Sequence, residues 1–427
     1  MPVIERPTLD DRLTALIESR PEAIADPYPL YHELLDSAPL HQLGPTAVVS
    51  RYEDVKQAIR EVKRMSNQAY RVGSRAAEIR SRLDGAEASA FDDVAAFEAM
   101  YISRADGAVH QELRDVAMRP FGPRRIVELR QTIVGYLDEL LEEALAGDGD
   151  VVDLVTSVMM RLPVMVICTL LNVPLGDAQM IKAWSGRIGK NRGGVVAADL
   201  MDADAAMREF RAYVQEIIDH NRRHPDSTDL VAAFMGAEGD ARLTADQLTA
   251  QFVVLLFAGS DTTNALLANG LLELAQRPDQ WRSLCADPAL LEPAIEELLR
   301  WVSPVQFIWR VTTAAIELGG VELPPGTTVM PIIAAANRDA RVFADPDVLE
   351  LRRHSSEPHI TFGYGPHFCL GNALARMESE IFFSTMARRF PDLQLAVDPS
   401  ELEWYGNAMF RTIRHLPLAL GRDRRDR

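Results

Sequence analysis

The chain of 427 residues is 47% hydrophobic and 25% charged, with a formal net charge of −17. This is globular composition, and the negative balance argues against nucleic acid as a partner, because phosphate binding needs a basic face. No apolar run is long enough to span a membrane, MPVIERPTLDDR lacks an apolar signal core, and Cys168, Cys285 and Cys369 are too scattered for a disulfide framework, so a cytoplasmic protein is expected.

In chain order, residues 1–25 read as a loose N-terminal arm. A helical pattern covers 27–36, short apolar runs around Gly44 and Pro45 suggest a small sheet over 40–51, and 52–63 is helical. Residues 65–109 mix charge with alanine, which suits one or two short helices and mobile loop. Their arginines, Arg71, Arg75, Arg80, Arg82 and Arg104, could pair with neighbouring carboxylates on a solvated surface or anchor an anionic ligand. A helix is expected from His110 to Met118, where His110 and Arg114 share one face at i, i+4. Arg119, Arg124 and Arg125 form a basic cluster, either ordinary surface or a docking point for an acidic partner.

Helical spacing continues through 125–146, 153–171 and 177–188. Residues 151–171 are apolar nearly all round and predict a core helix holding Cys168. Gly193 and Gly194 interrupt the pattern before 197–223, which suits a two-helix lid or an ordinary loop. TADQ at Thr244 is a capping box, and Pro278 stops the helix after Gln276. About 32 residues at 1.5 Å rise make a rod of roughly 48 Å. Its centre, FAGSDTT, places glycine, acid and hydroxyl in mid-helix, although glycine costs about 1 kcal/mol there. Thr262 can bond back to the Ala258 carbonyl and distort the turn. The segment is either a kinked core helix with a satisfied Asp261 or a functional groove.

Helix 291–302 carries EELLR, with Glu297 and Arg300 on one face as a buried structural pair. PVQFIWR (304–310) reads as extended chain and VELPPGTTV as a hairpin turning at Pro325 and Gly326. The stretch TFGYGPHFCLGNALARME (361–378) sets Cys369 among Gly363, Gly365 and Gly371, directly before a helix. Glycines let the backbone turn tightly and approach a flat partner. Unpaired N–H groups at the helix start favour thiolate, the form that binds metal. Residues 408–420 read as a terminal hairpin and 421–427 as a frayed tail.

The ten residues FGYGPHFCLG match F-x-x-G-x-x-x-C-x-G, and the chain here resembles the cytochrome P-450 family. AGSDT, EELLR and the Cys loop occur in that family's order, and the resemblance runs from about Asp26 to Leu420. It implies one mainly α domain over 26–420 with small β-sheets, heme b lying between the long central helix and the Cys-loop helix. Cys369 is then the iron ligand. His110, Arg114, Ala258, Arg310, Phe362, Gly363, His367 and Gly371 are the other heme contacts. Asp261 and Thr262 become the proton-delivery pair. Val254, Ala258, Val305, Gln306, Met409 and Phe410 face the substrate, and 65–109 covers the pocket. A thiolate ligand favours O–O cleavage.

The activity so implied is O2-dependent oxidation of a small organic molecule, in natural-product or secondary metabolism. Oxidative aromatic coupling is the alternative within heme chemistry, and a non-catalytic heme-binding module the alternative outside it. With no Gly-rich dinucleotide motif, no fused reductase is expected, so electrons come from a separate ferredoxin or flavodoxin.

Overall fold

A computed structural model describes residues 7–118, 121–147, 149–190, 197–223 and 243–424. The central helix, Ala245–Ala275, begins as the sequence predicts. Thr244 Oγ1 accepts from the Gln247 N–H at 3.1 Å, and the Gln247 side chain accepts from the Thr244 N–H at 2.9 Å. The helix is apolar nearly all round because other helices enclose it. Leu162–Leu170, Ala197–Arg223, Leu291–Val302 and Asn372–Arg389 all pack on it. Gly259 has a packing reason: a Cβ there would meet Ile167 at 3.1 Å, so glycine lets Leu162–Leu170 come close.

Glu297 and Arg300 are buried as expected, and their network is larger than a pair. Arg300 donates to both oxygens of Glu297 at 2.7 and 2.8 Å. Arg353 donates to the same carboxylate at 3.0 Å. Arg300 also reaches the Asn337 carbonyl at 2.8 Å. The Asn337 amide bonds Thr361 Oγ1 and Ser303 Oγ, each at 2.9 Å, and thereby fixes the approach to the Cys loop.

A five-stranded sheet lies at the other end. Its order is Leu40–Leu43, Thr46–Val49, Thr328–Pro331, Arg310–Thr312 and Met65–Ser66. Thr46–Val49 and Thr328–Pro331 run parallel, and the other neighbours are antiparallel. Gly326 has φ +86°, the left-handed conformation that its turn requires.

Several expectations are corrected. Residues 1–6 of the expected loose arm lie outside the described residues, and the rest is not loose: Leu9–Ile17 is a capped helix that buries Leu13, Leu16 and Ile17 in one core with Phe307 and Met330. Residues 65–109 hold three helices, Ala69–Val72, Ser74–Ser81 and Gly85–Glu98. Val151–Asp153 is a strand, and a π-turn at Val155–Met159 precedes Leu162–Leu170. That strand pairs with Pro417–Ala419, a non-local bond that replaces the expected terminal hairpin. Phe410–Ile413 pairs instead with Trp404–Asn407. In the tail, Asp423 accepts from buried Arg389 at 2.6 Å. Gly193, Gly194, Arg119 and residues 425–427 lie outside the described residues, as do the side chains of Arg124 and Arg125.

Candidate active site

A cavity of about 330 Å³ lies between the central helix and the Cys loop. Gly363 and Gly365 take φ +75° and +76°, which turns the loop back on itself. The Cys369 N–H then donates to the Phe362 carbonyl at 2.8 Å. All nine residues expected at the heme border this cavity: His110, Arg114, Ala258, Arg310, Phe362, Gly363, His367, Cys369 and Gly371.

Burial pushes the Cys369 thiol up, while the Gly371 N–H and the charges of Arg114 and Arg376 pull it down. The net direction is upward, so the helix start alone does not produce the expected thiolate. A metal cation at the sulfur would. Burial and Arg104 bring Arg310, which also borders the cavity, down to about 10; Asp106 opposes this from a distance, and among the described residues no carboxylate forms an ion pair with it. His367 falls to about 3, by burial first and then by Arg310, His110 and Arg114. His110 stacks on it with ring centroids 3.8 Å apart, and its own pKa is lowered by burial and Arg114. Asn67 Nδ2 lies 2.9 Å from His367 Nε2 and donates to the neutral ring, which leaves the imidazole proton on Nδ1.

A buried cation with no anion paired to it is expensive. A flat macrocycle with two carboxylates suits this rim, and its metal suits Cys369, so the residues present fit heme b. Cys369 would supply the sulfur ligand, and Arg114 and Arg310 would donate to the carboxylates.

On the central helix, Thr262 borders the cavity, and its Oγ1 donates to the Ala258 carbonyl at 2.8 Å, as expected from the sequence. Asp261 does not border it. Its carboxylate forms an ion pair with Lys182 of helix Ala178–Lys190. Burial alone would lower the Lys182 pKa, but Asp261 and Tyr405 raise it on balance, so the amine stays charged. Glu378 is 1% exposed and borders the cavity, with Oε2 unpartnered among the described residues. Burial pushes it up to about 8, so it keeps its proton at pH 7. Sequence reasoning missed Lys182, Asn67 and Glu378. Their roles come from contacts far apart in the chain, and only Glu378 carried a signal, as an acid in an apolar helix.

Val254, Ala258 and Val305 border the cavity, with Ile102, Ile167, Leu255 and Ile308. Three expected substrate contacts do not. Gln306 is fully buried, donates to the Val302 and Ser303 carbonyls at 3.0 and 2.6 Å, and accepts from the Tyr31 hydroxyl at 3.2 Å. Its polar groups are satisfied behind the cavity wall. Met409 packs in the N-terminal core, because Asn407 Oδ1 accepts its N–H in a tight turn. Phe410 packs edge-on to Phe257 at 5.8 Å instead of facing the cavity.

No arginine of 65–109 borders the cavity. Arg80 and Arg82 pair with Asp92 and Glu78, Arg71 bonds Gln68, Arg104 lies 3.8 Å from Glu98, and Arg75 stacks over Trp309.

The family model for cytochrome P450 matches residues 195–402. The chain is 37% identical to cytochrome P450 monooxygenase PikC of Streptomyces venezuelae, over 74% of each chain. It is 32% identical to 6-deoxyerythronolide B hydroxylase of Saccharopolyspora erythraea, over 92% of this chain and 96% of that one. The crystal structure of P450BioI, in complex with a hexadec-9Z-enoic acid ligated acyl carrier protein, superposes with a TM-score of 0.83 at 26% identity. It covers 93% of this chain and 99% of that one. With the signature loop, the cation rim and the long relatives in agreement, the chain belongs to the cytochrome P450 family of heme b monooxygenases, which use O2 and electrons from a redox partner.

Proposed function

We propose that this protein oxidises a neutral, mostly apolar small molecule, drawing electrons from a separate ferredoxin, with Thr262 and Asp261 handling the protons. The aliphatic lining of the cavity carries the substrate reading. Ile102, Ile167, Val254, Leu255, Val305 and Ile308 provide area for burial, at about 25 cal/mol per Å² removed from water. The cations of the cavity sit at the rim that suits heme carboxylates. The name of the 6-deoxyerythronolide B relative supports hydroxylation over coupling. Ferredoxin is the partner that the family generally uses.

Heme held on Cys369 supplies the oxygen chemistry. The rest is done by side chains. Thr262 presents a hydroxyl at the cavity wall, anchored on Ala258. Asp261 sits one residue away, held by Lys182 on the side facing helix Ala178–Lys190. A swing of Lys182 would free the carboxylate to exchange protons with Thr262 Oγ1. Thr262→Ala should keep heme and substrate binding, lower product formation about 10²-fold or more, and divert electrons to peroxide. Unchanged coupling of electrons to product would refute the role. A neutral ligand should shift the Soret band at lower concentration than its acid analogue. The reverse order would refute the substrate class.

A further inference from the structure

Next to the buried Glu297 network lies a second, half-exposed ion pair that leads to the ligand loop. Arg376, on helix Asn372–Arg389, donates from Nε to Glu296 Oε1 at 2.6 Å and from Nη2 to Oε2 at 3.0 Å. Its third nitrogen, Nη1, donates to Asn372 Oδ1 at 3.0 Å. Asn372 Nδ2 then donates to the Cys369 carbonyl at 2.8 Å. The same guanidinium lies 4.5 Å over the Phe362 ring, and the Phe362 carbonyl receives the Cys369 N–H. Arg376 therefore holds both backbone polar groups of Cys369, one through an amide and one through a ring. His359 adds a 3.2 Å contact to Glu296 and faces Phe362 with ring centroids 5.9 Å apart.

A loop clamp needs no charge. Two features here exceed a clamp. The pair is bidentate, which fixes the plane of the guanidinium. Its positive member is the one linked to Cys369, with only the Asn372 amide between the guanidinium and the Cys369 carbonyl. Glu296, farther away, partly cancels that charge. Its own carboxylate is held down to about 2: burial opposes this, and His359 and Arg376 more than offset it.

We propose that the Glu296–Arg376 pair sets the electron-donating strength of the Cys369 ligand, with Arg376 as a positioning residue whose residual charge raises the heme reduction potential. The proposal rests on Cys369 as the axial ligand. A charge near the sulfur favours the reduced, more negative heme–thiolate unit if it is positive and disfavours it if negative. The two partners must then act with opposite sign.

The test is spectroelectrochemical titration of the loaded protein, with the ferrous–CO Soret band recorded for each variant. Arg376→Met should move the potential more negative, and Glu296→Gln more positive. Arg376→Lys should stay near wild type in charge effect while losing the bidentate bond. If Arg376→Met fails to hold heme, Glu296→Gln against Arg376→Lys still decides the sign. Shifts in the same direction for both partners, or no shift with heme retained, would reduce the pair to a structural clamp and overturn the proposal. A wild-type protein without the thiolate Soret band would overturn the ligand assignment itself, which is a different failure.

Discussion

Cys369 shows how a side chain can be poorly suited to its environment until its partner arrives. As a thiol it is partly buried and pushed up by that burial, with one backbone N–H and the charges of two arginines opposing. Cys369→Ser should remove the red-shifted ferrous–CO Soret band, and a mutant that keeps the band would refute the assignment. Glu378 poses the opposite problem, a carboxyl with no partner for Oε2 among the described residues. Its pKa rises from 4.5 to about 8 on folding. Between those values the native state keeps a proton that the unfolded chain has released. Stability therefore falls as pH rises through this window and levels off above pH 8, by up to roughly 1.4 kcal/mol per pH unit. Glu378→Gln cannot ionise and should flatten that slope. Urea unfolding at pH 6 and pH 8 measures the difference, and equal slopes in mutant and wild type would count against a buried neutral acid.

The Cys loop is braced by elements that carry no chemistry. One carboxylate, Glu297, serves two guanidiniums, Arg300 and Arg353, and accepts the Glu350 N–H at 2.9 Å. Losing the carboxylate leaves two cations, one of them fully buried, with only backbone carbonyls as partners, whereas losing Arg300 leaves Glu297 still paired with Arg353. Breaking a buried pair typically costs about 3–5 kcal/mol. Arg300→Met is expected near the lower end and Glu297→Ala near or above the upper end. Thermal unfolding of the two variants gives the order, and an inverted order would show that Arg300's bonds to the Asn337 and Pro346 carbonyls matter more than the carboxylate. Local text made this helix legible, because Glu297 and Arg300 are three residues apart. Arg353 could not be found that way, since its link to Glu297 depends on how 345–353 folds back.

Across the whole molecule, the described segments nearest the two ends of the chain are structural. The first helix closes the N-terminal core that holds Trp309 and Val311, beside Arg310. The tail reaches Arg389, whose side chain is fully buried and meets Asp423 at 2.6 Å, Glu142 at 3.1 Å and Asp138 at 3.8 Å. Asp423→Asn should cost about 2 kcal/mol, in the range for hydrogen bonds to charged groups. Asp138→Asn, half-exposed and at longer range, should cost under about 1 kcal/mol. Equal losses in urea unfolding would mean that Arg389 is neutralised diffusely rather than by the tail.

The sequence by itself determined the parts whose physics is local. Thr244 and Gln247 cap a helix because they are three residues apart, and Thr262 reaches Ala258 one turn back. Gly363 and Gly365 mark a loop whose backbone other residues would strain, so the ligand cysteine and its helix could be read directly. Tertiary structure alone decided which groups meet across the fold. It paired Asp261 with Lys182, seated Asn67 on His367, buried Glu378 at the cavity, and turned Gln306, Met409 and Phe410 away from it. Extended chain alternates faces, and a shift of one residue exchanges wall for core. Which face is buried depends on what packs behind it, and here that is Tyr31 for Gln306, the N-terminal core for Met409 and Phe257 for Phe410.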